Sequence, residues 1–293
     1  MIKVLMFDLG GTLARNRVLL PHAAASVAAC GSFITKDGSP LESCLVSDFV
    51  LADPFESDKV VAIFSEYLQI LTTLGLRDLF QPVERRVTLS THANIMKPDR
   101  RVFELALERL GSTATLTECL FITENAGHIA AARALGMMCL QFGIDGPDGF
   151  TDWADGLLKI ALNIDPAGIE NITTALGVLG DAEGLAEIQH VAVDGNVVSA
   201  EAQALVTLDD SSLGELDGLH VQMPAKIKLD LQRPKPKVQV QTPEDAKTEA
   251  TAFVRSLQAH GKLGGRSSLL GPPTHEVETD TVGRRILRRK GFD

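Results

Sequence analysis

The stretch Ile2-Lys3-Val4-Leu5-Met6-Phe7-Asp8-Leu9-Gly10-Gly11-Thr12-Leu13 decides how this chain is read. A short apolar run stops at a carboxylate, and a glycine pair and a threonine follow. Such runs are the buried strands of parallel sheets, apolar because both faces are covered. Working outward, three more segments begin at, or just past, the end of an apolar run. They are Leu45-Val46-Ser47-Asp48, Lys97-Pro98-Asp99, and Leu120-Phe121-Ile122-Thr123-Glu124-Asn125 with His128 beyond it. Open α/β sheets bind ligands at the carboxyl ends of their strands. The order therefore predicts that a carboxylate, a hydroxyl, an amine and a second carboxylate meet in one crevice.

The pattern between these segments predicts strands at 2–7, 41–46, 83–89, 118–122 and 137–142. Helices are expected at 22–30, 56–74, 99–110 and 126–135. Val60, Ile63, Phe64, Tyr67, Leu68 and Leu71 recur at helical spacing within the second of these. Strand alternating with helix means βαβ units and a mostly parallel sheet, an α/β fold. A first domain is expected over 1–165, closing near Asp165-Pro166. A smaller α+β domain follows over 166–262, then a linker and a basic C-terminal hairpin or tail over 263–293. Asp194-Gly195-Asn196 between strand-like runs reads as a hairpin. Alternating segments at 225–231 and 237–241 read as strands. Thr242-Pro243-Glu244-Asp245 starts a helix by cap, proline and acids, and that helix runs to about His260.

The chain has 293 residues, 45% of them apolar, enough for one large or two smaller cores. Its net charge of −10 argues against wholesale nucleic-acid binding. Cys30, Cys44, Cys119 and Cys139 lie in or beside apolar segments without a C-x-x-C pair, so reduced thiols and a cytoplasmic location are expected. The first residues turn acidic too soon for a signal peptide, and no apolar run approaches the ~18 residues of a membrane span.

The four segments, in this order, resemble the haloacid dehalogenase (HAD) superfamily of hydrolases, most of which are magnesium-dependent phosphatases. The resemblance covers about residues 1–145. Ser90-x-His92-x-Asn94-x-x-Lys97-Pro98-Asp99 and Ile129-Ala130-Ala131-Ala132-Arg133-Ala134-Leu135-Gly136-Met137 extend it. It implies a HAD-like Rossmannoid fold and a divergent Mg²⁺-dependent hydrolase working through an aspartyl-phosphate intermediate. Asp8 would be the nucleophile, a carboxylate that attacks without needing a base. Ser47 would bind a phosphoryl oxygen, and Lys97 would neutralise charge on nucleophile and phosphoryl group. Thr12 and His92 join Ser47 and Lys97 as substrate-binding candidates. Asp8, Glu124 and the carbonyl of Gly10 would hold Mg²⁺, which prefers hard oxygen donors.

Three positions depart from the family pattern. Gly10 replaces the Asp that protonates the leaving group and then activates water, a loss typically worth about 10²–10⁴-fold. Thr123-Glu124 replaces Gly-Asp. His128 replaces a second acid, and as an imidazole it can carry a proton where Gly10 cannot. His128 is therefore a catalytic candidate, with His92 as a second proton carrier. Family branches that break carbon–halogen or carbon–phosphorus bonds lack the acid at position 10. A further alternative is a catalytically silent HAD-like scaffold that binds a partner through its C-terminal domain and basic tail.

Only Ala14 to Leu20 separate the first segment from the next helix, and Asp48 to Gly75 is mainly one helix. Neither holds a full cap, which in this family accompanies macromolecular substrates. The tail Arg284-Arg285-Ile286-Leu287-Arg288-Arg289-Lys290 reads in three ways: a dock for an acidic partner, a solvated terminus, or a hairpin with cross-strand charge pairs to Glu276, Glu278 and Asp280.

Overall fold

In the computed structural model, residues 1–183, 185–195, 197–230, 246–263, 274–279 and 283–290 are described. They fall into two compact units that divide at Ala182/Glu183.

The first unit is built on a six-stranded, wholly parallel sheet. Its first half contains β1 (Val4–Phe7), a two-strand ribbon of β2 (Ala14–Arg15) and β3 (Val18–Leu19), α1 (Ala23–Cys30), β4 (Glu42–Ser47) and α2 (Ser57–Thr73). Then come α3 (Val83–Arg86), β5 (Val87–Leu89), α4 (Ser90–Ala93) and α5 (Arg100–Leu110). Beyond them lie β6 (Cys119–Thr123), α6 (Ala126–Ala134), β7 (Met138–Phe142), β8 (Gly149–Phe150), α7 (Trp153–Ile164) and α8 (Ile169–Glu183). The sheet order is β5-β4-β1-β6-β7-β8. The chain therefore builds outward on one side of β1, then crosses to build on the other. Such a reversal is where open α/β sheets bind ligands, here at the carboxyl ends of β1, β4 and β6. All four residues of β1 are buried, as a central strand with both faces covered requires.

One face packs Val4, Met6, Cys44, Val46 and Phe121 against Val102, Phe103, Ala106 and Leu110 of α5 and Ile129 and Ala132 of α6. On the other, the Phe7 ring meets Phe80 at 6.2 Å and Trp153 at 6.1 Å, and Trp153 stacks on Phe142. This is a Rossmannoid α/β sandwich without a cap domain: β2 and β3 have two residues each, and α2 is the one long helix between β4 and β5.

One expected strand differs in the structure. The strand expected at 83–89 is a helical turn, α3, followed by three strand residues, β5. Proline at 82 cannot donate to a ladder and sits where a helix starts. The segment carrying His92 is a short helix, α4, closed by Asn94 in the left-handed conformation at φ 53°. The helices α7 and α8 add to the expected set. Asn171 of α8 is buried, accepts from Ile34 N–H at 3.0 Å and donates to the Ile34 carbonyl at 2.7 Å. That clamp ties α8 into the first unit.

The second unit is α+β. It holds β9 (Leu185–Asp194), β10 (Val197–Thr207), β11 (His220–Asp230), α9 (Ala246–Ala259), β12 (His275–Thr279) and β13 (Arg285–Arg289). The sheet order is β12-β13-β11-β10-β9. Pairing is antiparallel except between β11 and β13. The hairpin at Asp194-Gly195 forms as expected. Leu208, Leu219, Val221, Ala250, Val254, Leu257 and Leu287 make its core. The strand expected at 237–241, the helix start at Thr242-Pro243, and the linker glycines and prolines at 264–273 lie outside the described residues. The basic tail pairs with β12: Glu276 stands opposite Arg288, Arg288 reaches Glu278 at 3.1 Å, and Lys290 reaches Glu276 at 3.4 Å. These pairs are half exposed, so each contributes little energy, but they engage two of the tail's cations within its own hairpin.

Asn171→Ala strips a partner from both backbone groups of Ile34. It is expected to cost about 1–3 kcal/mol, read by urea unfolding of the full chain followed through Trp153, the single tryptophan, in the first unit. An unchanged midpoint would exclude the clamp.

Candidate active site

Asp8 is the first residue past β1, and its own N–H donates to Ile122 of the neighbouring β6 at 3.0 Å. Its side chain is almost dry. Oδ1 accepts from the backbone N–H of Leu9 at 2.8 Å and from Lys97 Nζ at 2.8 Å, and Oδ2 accepts from the Thr123 hydroxyl at 2.9 Å. The Lys97 side chain is only 1% exposed. Its ammonium also donates to the Val46 carbonyl at 2.9 Å and lies 5.5 Å from the centre of the Phe121 ring. A buried pair of opposite charges holds only where further hydrogen bonds satisfy both ions. Here three adjacent strands supply them.

Glu124 follows β6. Its Oε2 accepts from the Thr12 hydroxyl at 2.6 Å, and its own N–H donates back to that oxygen at 2.9 Å. Thr123 Oγ1 lies 3.3 Å from Glu124 Oε2, so this hydroxyl stands between the two carboxylates. Trp153 Nε1 donates to the Thr12 carbonyl at 2.8 Å, fixing the loop from the far side of the sheet. Gly11 adopts φ 71°, where side chains are strained, and a Cβ there would stand 2.8 Å from the Glu124 side chain. A Cβ at Gly10 would meet nothing within 4 Å.

Asp48, directly after β4, accepts from the Lys97 N–H through Oδ1 at 2.8 Å, and its Oδ2 lies 3.9 Å from His128 Nε2. His128 stands in the first turn of α6, which Asn125 caps by accepting from Gly127 and His128 N–H. Burial, and the Lys97 ammonium after it, hold the His128 ring below its usual pKa against the pull of Asp8, Asp48 and Glu124.

The structure thus gathers Asp8, Thr12, Lys97, Glu124 and His128. Ser47 is buried at the end of β4 with its hydroxyl 3.4 Å from the Asp48 carbonyl, and none of its hydrogen bonds is to Asp8 or Lys97. Thr12 spends its hydroxyl on Glu124. His92 accepts from the Leu89 N–H through Nδ1 at 2.9 Å and packs edge-on to Phe64 at 4.9 Å, so its ring makes no contact with the cluster. Thr123 and Asp48 carry contacts that the sequence reading assigned to neither. The signal for Asp48 was its place directly after Ser47. For Thr123 it was the strand's end beside an acid, where a hydroxyl reaches the crevice. Among the described residues no group of three or more His, Cys, Asp or Glu is arranged to hold a metal.

Burial, with Arg109 next, drives the His92 pKa down to about 4. The unfolded chain binds a proton there near pH 6.5, and the folded chain does not until about pH 4. Folding stability should therefore rise with pH across that window. His92→Gln should flatten part of that slope in urea midpoints taken from pH 4 to 7, and an unchanged slope would remove His92 from the account.

No family model matches this chain, and no curated protein sequence matches it. Solved structures do. The L-2-haloacid dehalogenase from Xanthobacter autotrophicus is 16% identical over 50% of this chain and 79% of its own, with a TM-score of 0.35. A HAD family hydrolase from Deinococcus radiodurans R1 with bound phosphate and sodium is 14% identical over 55% of this chain and 95% of its own, at 0.38. A HAD family enzyme from Bacteroides thetaiotaomicron, in complex with magnesium and inorganic phosphate, is 14% identical over 48% of this chain and 94% of its own, at 0.21. Likenesses of this strength carry no argument about chemistry. The first unit has the Rossmannoid parallel sheet that the resemblance implies, with Asp8, Ser47 and Glu124 at or just past the carboxyl ends of β1, β4 and β6 and Lys97 between α4 and α5.

Proposed function

We propose that the first unit is a divergent HAD-like hydrolase that cleaves a phosphoryl ester through a covalent intermediate on Asp8. The observation that carries this reading is the dry Asp8–Lys97 pair at 2.8 Å. Burying two such charges costs several kcal/mol per ion, and apolar replacements of similar size are often no less stable. A dry pair of this kind at strand ends supports a functional role over a purely structural one.

In this reading Asp8 attacks phosphorus while Lys97 offsets negative charge on both reacting groups. His128, with Nε2 3.9 Å from Asp48, is the proton carrier that Gly10 is not. Ser47, Thr12 and His92 remain candidates for holding the substrate, Ser47 from the end of β4. The groups that would hold an ion are oxygens: the carboxylates of Asp8 and Glu124 and the carbonyl of Gly10. That set fits Mg²⁺, which binds one or two carboxylates and keeps several waters. Bound there, the ion would neutralise charge on the phosphoryl group. With no cap inserted within the first unit, the site suits a phosphorylated group on a large substrate. No helix among the described residues is long and apolar enough to cross a membrane.

A second reading, displacement at carbon with loss of halide, is favoured by Gly10, because a halide leaves without a proton. A panel of phosphoesters, end-phosphorylated oligonucleotides, phosphopeptides and 2-haloacids separates the two. Phosphate release with Mg²⁺ that Asp8→Asn abolishes is the expected result. Halide release alone would favour the second reading, and no release from folded protein would favour the silent scaffold. Glu124→Ala should remove any Mg²⁺-dependent rise in Tm. Because a side chain at position 10 meets open space, Gly10→Asp should raise phosphatase turnover, by up to about 10²-fold. A fall in turnover with an unchanged Tm would count against the phosphoryl reading.

A further inference from the structure

Large apolar side chains stand in water on the loop that leaves β4 directly after Asp48. Val50 is 58% exposed and Phe55 56%, with Leu51 exposed between them. Ile95 and Met96, the two residues before Lys97, are exposed as well. Hydrogen bonds lace these two stretches together. The Ser90 hydroxyl donates to the Phe49 carbonyl at 3.0 Å and accepts from the Phe49 N–H at 2.9 Å. The Thr91 hydroxyl donates to the Val50 carbonyl at 2.6 Å. Ile95 N–H donates to the Ser90 carbonyl at 3.2 Å, and Lys97 N–H to Asp48 Oδ1 at 2.8 Å. Two buried hydroxyls thus hold the first loop by its backbone, and its outward side chains are not needed to anchor it. Single exposed apolar residues are ordinary, but a group of them on joined loops marks an interaction surface.

The charges around this patch decide its occupant. Residues 49–56 and 94–96 contain no Lys or Arg, and Asp53 and Glu56 stand exposed among them. Lys59, in the first turn of α2, donates to the Asp53 carbonyl at 2.9 Å and lies 4.0 Å from Glu56. A nucleic acid would need cations along its track. A peptide needs apolar anchors, and Phe and Met are enriched where proteins meet. We infer that these two loops seat a peptide, so that the substrate of the Asp8 site is a protein segment whose phosphorylated residue has large apolar neighbours. The inference rests on the phosphoryl reading above. Met96 adjoins Lys97, whose ammonium bonds Asp8. The patch is therefore a few extended residues from the nucleophile, at about 3.4 Å each.

The test uses the full chain with Mg²⁺ and measures phosphate release. Two peptide sets, one built on phosphoserine and one on phosphotyrosine, carry either Leu and Phe or Ser and Gly beside the phosphorylated residue, at equal net charge. For at least one set, kcat/KM should be about 10-fold higher with apolar flanks, through a lower KM. The double variant Val50→Ser, Ile95→Ser should bring that ratio close to one. Ile169→Ser should keep it. Ile169 is also exposed, but it lies on α8 near the Asn171 clamp to Ile34, which precedes β4 and so marks the opposite end of the strands. Each ratio is taken within one protein, so a partial loss of folded material cancels.

Phosphate release that ignores the flanking residues overturns the peptide seat and leaves the phosphoryl reading standing. A ratio that survives the double variant, or that Ile169→Ser removes, overturns the seat as well. Faster release from an end-phosphorylated oligonucleotide than from any peptide overturns the choice of substrate. A dimer seen by sedimentation in the native protein and lost in the double variant would give the patch to a second copy of the chain, and overturns the inference too. No release from any phosphoester overturns the phosphoryl reading and the peptide substrate with it.

Discussion

An ion pair that water scarcely reaches governs the first unit. Asp8 and Lys97 are brought together at 2.8 Å from positions far apart in sequence. Each ion must find enough hydrogen bonds to offset its lost hydration. The donors and acceptors come from the Leu9 N–H, the Thr123 hydroxyl and the Val46 carbonyl. These groups converge only if β4, β1 and β6 lie side by side, parallel, with their carboxyl ends level. The observed register does this: Phe7 pairs with Leu45 on one side and Ile122 on the other. Sheet order and ion pair are thus two views of one constraint.

Around that pair a second ring of contacts keeps the crevice in shape. The Thr12 hydroxyl holds Glu124, and Trp153 holds Thr12. Trp153 is itself fixed among Phe7, Phe142 and Phe150. An apolar cluster on one face of the sheet therefore sets where an acid stands at its edge. Gly11 belongs to the same device, since its left-handed backbone and missing side chain leave room for Glu124.

The second unit has its own core and its own logic. Its mixed sheet and α9 bury Val254 and Leu257 against Val221 and Leu287. Its basic terminal strand faces acids on β12, and Arg288 and Lys290 pair with them. The two units share no motif, and the chemistry argued above draws on residues of the first alone.

The sequence by itself determined the parallel sheet and the gathering of Asp8, Lys97, Glu124 and His128 near one edge. Buried central strands are local signals, apolar runs with a polar residue at their end, and strand ends are where loops carry side chains outward. It misplaced the strand at 83–89, because apolar residues at 83, 87 and 89 hide a proline-initiated turn. It passed over α7, although Trp153, Leu157, Ile160, Ala161 and Ile164 recur at helical spacing and are all buried. Only the tertiary structure decided which hydroxyl meets Asp8. Thr123, Thr12 and Ser47 all end or follow strands, and composition cannot rank them. Loop paths and strand pleat give that contact to Thr123, turn Thr12 to Glu124 and leave Ser47 beside the Asp48 carbonyl. The pairing of Asp48 with Lys97 and His128 was decided there too, because a hydrogen bond across 49 residues depends on where two loops pass in space.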